Sequence, residues 1–407
     1  MKTKNNVFDI ILAFLVGLFI VWASIGTQSL QGKYINIEIL YLIFISLMFI
    51  LSKFQWCIFF SKEDTFFYLY VILVTIGLFL CENKNRSFGI YKGFIPIYFL
   101  TYFIGKNIGY RSMNVVKNII LTIVFCVLTV SVIGFLEIIF KKNIIYSVIA
   151  NPFYLMHLRE GRMMSTLMHP SVLGSYLTIC LPACFFMIED NSKRWNRSIG
   201  IFVFIISLIA LFFTFSRGAW VAVTIAFFIY YRRRYRKLFI FLMIGGILFF
   251  CILYIFSGGN SFIRHRFGFG GLIKGISDEF RISYIPVMWK MVKEHPFFGL
   301  GIDHYRLLFN RYSMERMSDI FRVPDNMYFT IIVETGILAF LAYIGFIITL
   351  FKKMFMDIKN EENGIKKKIM AVIITGAIAF MIKMATYDAF YWFMPVSLFG
   401  LYLGMAS

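Results

Sequence analysis

Long apolar stretches separated by short polar ones run through the whole chain. They fall at roughly 7–26, 35–51, 65–81, 90–105, 115–139, 171–188, 198–215, 218–231, 238–256, 327–351, 369–385 and 389–405. A helix crosses a hydrocarbon core of about 30 Å with about 20 apolar residues, so each run predicts a transmembrane helix. The fourth run is the weakest, because it carries Lys92 and Pro96. The first run lacks a convincing small-residue cleavage site and opens into further spans, so it reads as a first helix and not as a removed signal peptide. The expected fold class is an all-α integral membrane protein with about 12 transmembrane helices and one large extracytoplasmic loop containing short helices. That loop, residues 257–324, is too long for a passive connector. Within it, Tyr284, Met288, Trp289 and Val292 recur at helical spacing. They predict an amphipathic helix over 279–294, with Trp289 at the membrane surface.

Composition agrees with this pattern. Of all residues 60% are apolar and only 15% charged, against about 25% charged in a soluble domain. A net charge of +20 raises nucleic acid as a partner, but its distribution removes it. The basic residues form short clusters between apolar runs, such as 232–237 and Lys366-Lys367-Lys368, which is how cytoplasmic loops are marked. With Lys2 and Lys4 inside, the inner loops collect most of the Lys and Arg found in short loops, which places both termini in the cytoplasm. The connection at about 140–170 and the loop 257–324 then lie outside. Cys57, Cys81, Cys126, Cys180, Cys184 and Cys251 sit in or beside apolar runs without CxxC spacing. They read as small core hydrophobes, and neither a disulfide nor a metal site is expected.

The outward-facing charges carry the candidate chemistry. Arg217 lies in the tight connection Phe213–Trp220. A guanidinium at that depth is costly unless it faces a cavity or a partner, and its fork of donors suits phosphate. The plainer reading is an interfacial anchor. Arg162, just before His169-Pro170, and Arg281 are two further cations, each equally readable as a solvated charge. Several arginines converging on one outer cavity would suit a diphosphate. Lys383, near Asp388, is assigned no role. In the run His295–Tyr305, Gly299 and Gly301 allow a sharp turn and close backbone approach. Where the chain re-enters the membrane it reads Pro324-Asp325-Asn326-Met327-Tyr328, followed by Glu334-Thr335-Gly336. Asp325 and Asn326 are good helix caps. Asp325 is also a carboxylate placed where a general base for an incoming hydroxyl is needed. The five histidines show no metal-ligand spacing, no P-loop is present, and no cofactor is expected.

Taken in order, these segments resemble the bacterial O-antigen polymerase and O-antigen ligase superfamily. The resemblance rests on Arg162 to Leu177 with His169, on Thr214 to Trp220, and on the spaced Arg281, Trp289, His295, Gly299 and Gly301. Asp325-Asn326-Met327-Tyr328 and Glu334-Thr335-Gly336 complete it. It covers roughly residues 160–345, and the first 150 residues match only as a run of membrane helices. It implies a metal-independent glycosyl transfer on the outer face of the bacterial inner membrane. The donor is a glycan on undecaprenyl diphosphate, and that lipid diphosphate is the leaving group. In these terms Arg217 and Arg281, with Arg162, hold the diphosphate. Asp325 acts as base beside Asn326, with His304 and His295 as alternatives, and Tyr328 and Glu334 support the site. Ligases of the family look to have a histidine where Asp325 stands. The Asp-Asn-x-Tyr form resembles repeat-unit polymerases of O-antigen, capsule or exopolysaccharide. The partners implied are lipid-linked glycans and membrane lipids, with flippase and chain-length regulator proteins alongside. The organisation expected is residues 1–150 as N-terminal helices, 151–350 as the catalytic region, and 351–407 as C-terminal helices. Two rivals stand: a ligase with the same donor, and a twelve-helix secondary transporter, whose halves would be related as these are not.

Overall fold

The computed structural model describes residues 14–21, 43–44, 46–47, 61–111, 113–142, 161–167, 169–189, 194–231, 276–313 and 325–407. Most of the first two apolar runs, the ninth run at 238–256, the basic cluster 232–237, and residues 257–275 and 314–324 lie outside the described residues. Among the described residues all regular structure is helical. The principal helices are α1 (Thr65–Leu80), α2 (Lys84–Arg111), α3 (Met113–Phe140), α4 (Pro170–Cys180), α5 (Ala183–Ile188), α6 (Arg194–Phe213) and α7 (Arg217–Tyr231). They continue with α8 (Ile276–Glu294), α9 (His304–Tyr312), α10 (Met327–Asn360), α11 (Gly364–Met384) and α12 (Phe393–Met405).

Six helical spans among these residues are long and apolar enough to cross a membrane, so the chain is an integral membrane protein. They are Lys62–Leu80, Lys84–Tyr110, Met113–Phe140, Pro170–Ile188, Arg194–Phe213 and Met327–Asn360. The apolar parts of α7 and α12 are shorter, and α11 carries Lys366, Lys367, Lys368 and Lys383. The weak fourth run is longer than expected: α2 continues for 28 residues with Pro96 inside it. A proline is tolerated in such a helix where neighbouring helices surround it, and α12 packs along α2. Their contact is close because Gly105 and Gly109 on α2 lie against Leu401–Met405 of α12, and Gly400 and Gly404 on α12 lie against Tyr98–Lys106 of α2. A Cβ on any of the four would press into the other helix. This is the small-residue packing expected where lipid offers no hydrophobic drive for helix association.

At the far end of α2 a buried polar cluster ties that helix to the start of α1. Lys106 Nζ lies 2.5 Å from Asp64 Oδ2 and 2.6 Å from Ser61 Oγ, and Tyr102 donates to Asp64 Oδ1 at 2.6 Å. Removing one partner of a buried pair leaves an uncompensated charge, at a cost of about 3–5 kcal/mol. Lys106→Met is therefore expected to lower the unfolding temperature in detergent sharply. Lys106→Met combined with Asp64→Leu should recover most of that loss.

α8, α9 and the start of α10 form a second core of Tyr284, Met288, Met291, Leu300, Tyr305, Leu308, Phe309 and Val333. The helix expected over 279–294 is present, and Tyr284, Met288 and Val292 pack on the expected face, which takes in Met291 in place of Trp289. Met291 is buried, whereas Trp289 is 60% exposed. The face rotates by part of a turn because Tyr284, Met288 and Met291 stack at i, i+4 and i+7.

α10 is 34 residues long and kinked at Gly336, which has φ 83° and ψ 169°. The turn 295–301 fills the break. Leu300 and Gly301 donate their amides to the Val333 and Glu334 carbonyls at 3.0 and 2.9 Å, and Ile337 donates to the Pro296 carbonyl at 2.8 Å. The backbone groups released by the kink are satisfied by that turn, as buried amides and carbonyls must be.

Candidate active site

The starts of α4, α7 and α10 lie against the connection between α11 and α12. Three sequence segments singled out above are brought together here, and a fourth, not anticipated, joins them. The first two are the arginine segments. Met163 donates its amide to Phe213 at 2.9 Å, and Arg162 Nε donates to the Thr214 carbonyl at 3.3 Å. Buried Glu137 of α3 accepts from the amides of Met164 and Ser165, which fixes the loop. Arg217 opens α7 directly after this contact. Trp220 Nε1 donates to the Leu211 carbonyl at 2.9 Å, and its ring stacks on Phe212 at 5.2 Å, so the α6–α7 connection is braced. Arg281 lies on α8, and its side chain falls outside the described residues.

The third segment begins α10. Asn326 is the N-cap: its Oδ1 accepts from the amides of Tyr328 and Phe329 at 3.1 and 3.3 Å. Such a cap contributes about 1 kcal/mol. Asn326 thus takes the capping role that either residue could have filled. Asp325 has φ 48°, a left-handed conformation that Asp and Asn tolerate better than other side chains. Tyr328 donates its hydroxyl to the Met381 carbonyl at 2.8 Å and so fastens α10 to α11.

The fourth segment is the connection 386–392, between the last two apolar runs and into the second of them, to which the sequence reading assigned no role. A Cβ on Gly218 would collide with Thr386, so the start of α7 lies directly against it. Lys383 is buried, with Nζ 3.4 Å from Thr386 Oγ1 and 5.0 Å from the Tyr387 ring centre. The His169 ring stacks on Tyr387 at 5.7 Å, while its Nδ1 accepts from the Ser171 amide and caps α4. Asp388 accepts from Thr330 Oγ1 at 2.9 Å. Burial, and then the negative charge of Asp325, push the Asp388 carboxyl up to about 7. Tyr391 donates to buried Glu334, and Arg306 of α9 sits 5.9 Å from the Tyr391 ring centre. No spacing pattern marks Asp388, Tyr391 or Arg306. The nearest signal was an acid and several aromatics interrupting an otherwise apolar run.

His304 is not placed for proton transfer. It is fully buried, its Nε2 accepts from the Asn83 amide at 3.0 Å, and Nδ1 lies 3.1 Å from both the Ile302 carbonyl and Ser87 Oγ. It anchors α9 to the start of α2, and Arg86 strengthens that joint through Asp303 at 2.7 Å. These bonds engage both ring nitrogens of His304, the alternative base to Asp325. His295 follows α8 and is exposed, and Trp289 is exposed as well. Gly299 and Gly301 serve the interlock with α10, where a Cβ on Gly299 would meet the Glu334 carbonyl. Among the described residues no group of three His, Cys, Asp or Glu side chains is arranged to hold a metal ion.

The chemistry that Arg217, Arg162 and Asp325 offer is that of two guanidinium groups, whose donors suit an anion, and a carboxylate. No curated protein matches the chain. Residues 202–344, which include Arg217, Arg281, Arg306, Asp325 and Glu334, match the family model described as O-Antigen ligase. The match spans 143 of 407 residues and supports a likeness to the O-antigen ligase and polymerase superfamily.

Proposed function

We propose that this protein is a polysaccharide polymerase of the membrane's outer face. It moves a growing glycan from undecaprenyl diphosphate to a hydroxyl of another lipid-linked repeat unit. The acceptor oxygen attacks the anomeric carbon, the bond from that carbon to the diphosphate oxygen breaks, and the electron pair leaves with the lipid diphosphate. Asp325 takes the hydroxyl proton. Arg217, with Arg162 and Arg281, holds the diphosphate and stabilises its developing charge. The observation that carries this reading is convergence: Arg217 and Asp325 open two helices that meet at one short connection, 386–388. A ligase with the same donor and another acceptor is the second reading, favoured by the description of the matched family.

The test is the surface glycan of a deletion strain carrying wild type or Arg217→Ala, resolved as a ladder. Loss of the ladder with a single repeat unit still attached supports polymerisation. Long chains left on the carrier lipid support ligation instead. Normal ladders and normal attachment in the deletion strain would sink both. Arg217→Ala is expected to cut transfer by about 10²–10³-fold, the size of effect seen when one donor to a developing anion is removed. Arg217→Lys should recover part of it, since charge survives and the fork of donors does not.

A further inference from the structure

Glu137 lies in α3, outside the family match, and the function proposed above does not use it. It is a buried carboxylate within a helix apolar enough to cross the membrane. Such a group is costly and is kept where it has a definite partner. Here the partners are backbone amides. One carboxylate oxygen accepts from Ser165 at 2.5 Å and from Met164 at 3.3 Å. Hydrogen bonds to an ionised acceptor are the strong ones. They hold Ser165 at φ 53°, a left-handed conformation uncommon outside glycine. Ser165 Oγ also donates to the Val130 carbonyl at 2.6 Å, which fastens the same residue to α3 two turns earlier.

The other end of this short loop carries an arginine. Met163 donates its amide to the Phe213 carbonyl, and Arg162 Nε donates to the Thr214 carbonyl, three residues before Arg217. α3 also touches α6 directly, where Ser131 Oγ lies 3.2 Å from Ser207 Oγ. Residues 162–165 are therefore clamped between α3 and the α6–α7 connection. Releasing the two amides from Glu137 lets Ser165 return to an ordinary φ. Rotation there displaces Arg162, three residues away.

We propose that Glu137 is a positioning residue: it clamps the loop 162–165 so that Arg162 and Arg217 are presented together to one lipid-linked diphosphate. That the anion is a diphosphate rests on the function proposed above. Glu137 acts through Arg162 and does not itself contact the lipid.

The test measures the affinity of full-length protein in lipid nanodiscs for undecaprenyl diphosphate, alongside transfer from lipid-linked repeat units. Glu137→Leu is expected to weaken binding by about 10–10²-fold, the worth of one hydrogen bond to a charged group. Glu137→Asp keeps the charge but draws the oxygen back by one methylene, so it should weaken binding too. Glu137→Gln keeps an acceptor oxygen at full reach and should recover most of the affinity. In an Arg162→Ala background Glu137→Leu should cost nothing further, because residues that act through one contact are not additive. If Glu137→Leu does not fold, Glu137→Asp carries the same two comparisons. Unchanged affinity in Glu137→Asp and Glu137→Leu overturns the proposal, and so does an undiminished loss in the Arg162→Ala background. Binding that follows the expected pattern with no transfer by wild type overturns the enzymatic reading and leaves the clamp standing.

Discussion

Asp325→Asn is expected to lower glycosyl transfer by about 10²–10⁴-fold, the usual contribution of a positioned general base. The substitution is unusually clean. Asp325 sits at φ 48°, and asparagine tolerates this conformation as well as aspartate does. The helix cap is supplied by Asn326, not by Asp325, so α10 keeps its start. What is lost is the charge and the ability to take a proton. Alanine would be a poorer probe, since a left-handed alanine costs about 1 kcal/mol or more in backbone strain alone. Asp325→His gives the complementary result. An imidazole accepts a proton only when neutral, so this variant should regain measurable transfer that rises with pH through about 6.5. Release of lipid diphosphate by protein in nanodiscs measures both. A rate for Asp325→Asn within about threefold of wild type would remove Asp325 as base.

Much of this arrangement was legible in the sequence. Hydrophobic periodicity located the runs that became α1, α3, α6, α10 and α11, because length and apolarity are all a lipid core demands. Arg217, Asp325 and Glu334 were visible as polar groups out of place. The extent of α2 was not, since Lys92 and Pro96 argue locally against a helix that packing along α12 sustains. Asn326 is the cap that its position allowed, and His304 is a buried hydrogen-bonded joint, because the same side chains can serve chemistry or structure and only their partners decide. The connection 386–392 was missed for a related reason. Its polar residues matter through Thr330, Glu334 and Arg306, which lie on other helices, and no local spacing records such contacts.

Gly336→Ala tests whether the kink in α10 builds the site. At φ 83° and ψ 169° Gly336 occupies a region that is essentially closed to other residues, and an added Cβ would strike the Phe297 carbonyl. Backbone strain of about 1–3 kcal/mol adds to the loss of three backbone hydrogen bonds to the turn 295–301, each worth about 0.5–1.5 kcal/mol. Straightening α10 would also withdraw Glu334 from Tyr391 and from the Tyr305 amide, releasing α9 and Arg306. The expected result is a large fall in unfolding temperature in detergent together with loss of transfer, and Gly299→Ala should copy it from the other side of the interlock. Gly89→Ala is the control: it lies within α2, a Cβ there meets nothing within 4 Å, and alanine should stabilise the helix by about 0.5–1 kcal/mol. If Gly336→Ala melts and transfers like Gly89→Ala, the kink is incidental, and Glu334 and α9 are held in place by something other than the turn that fills it.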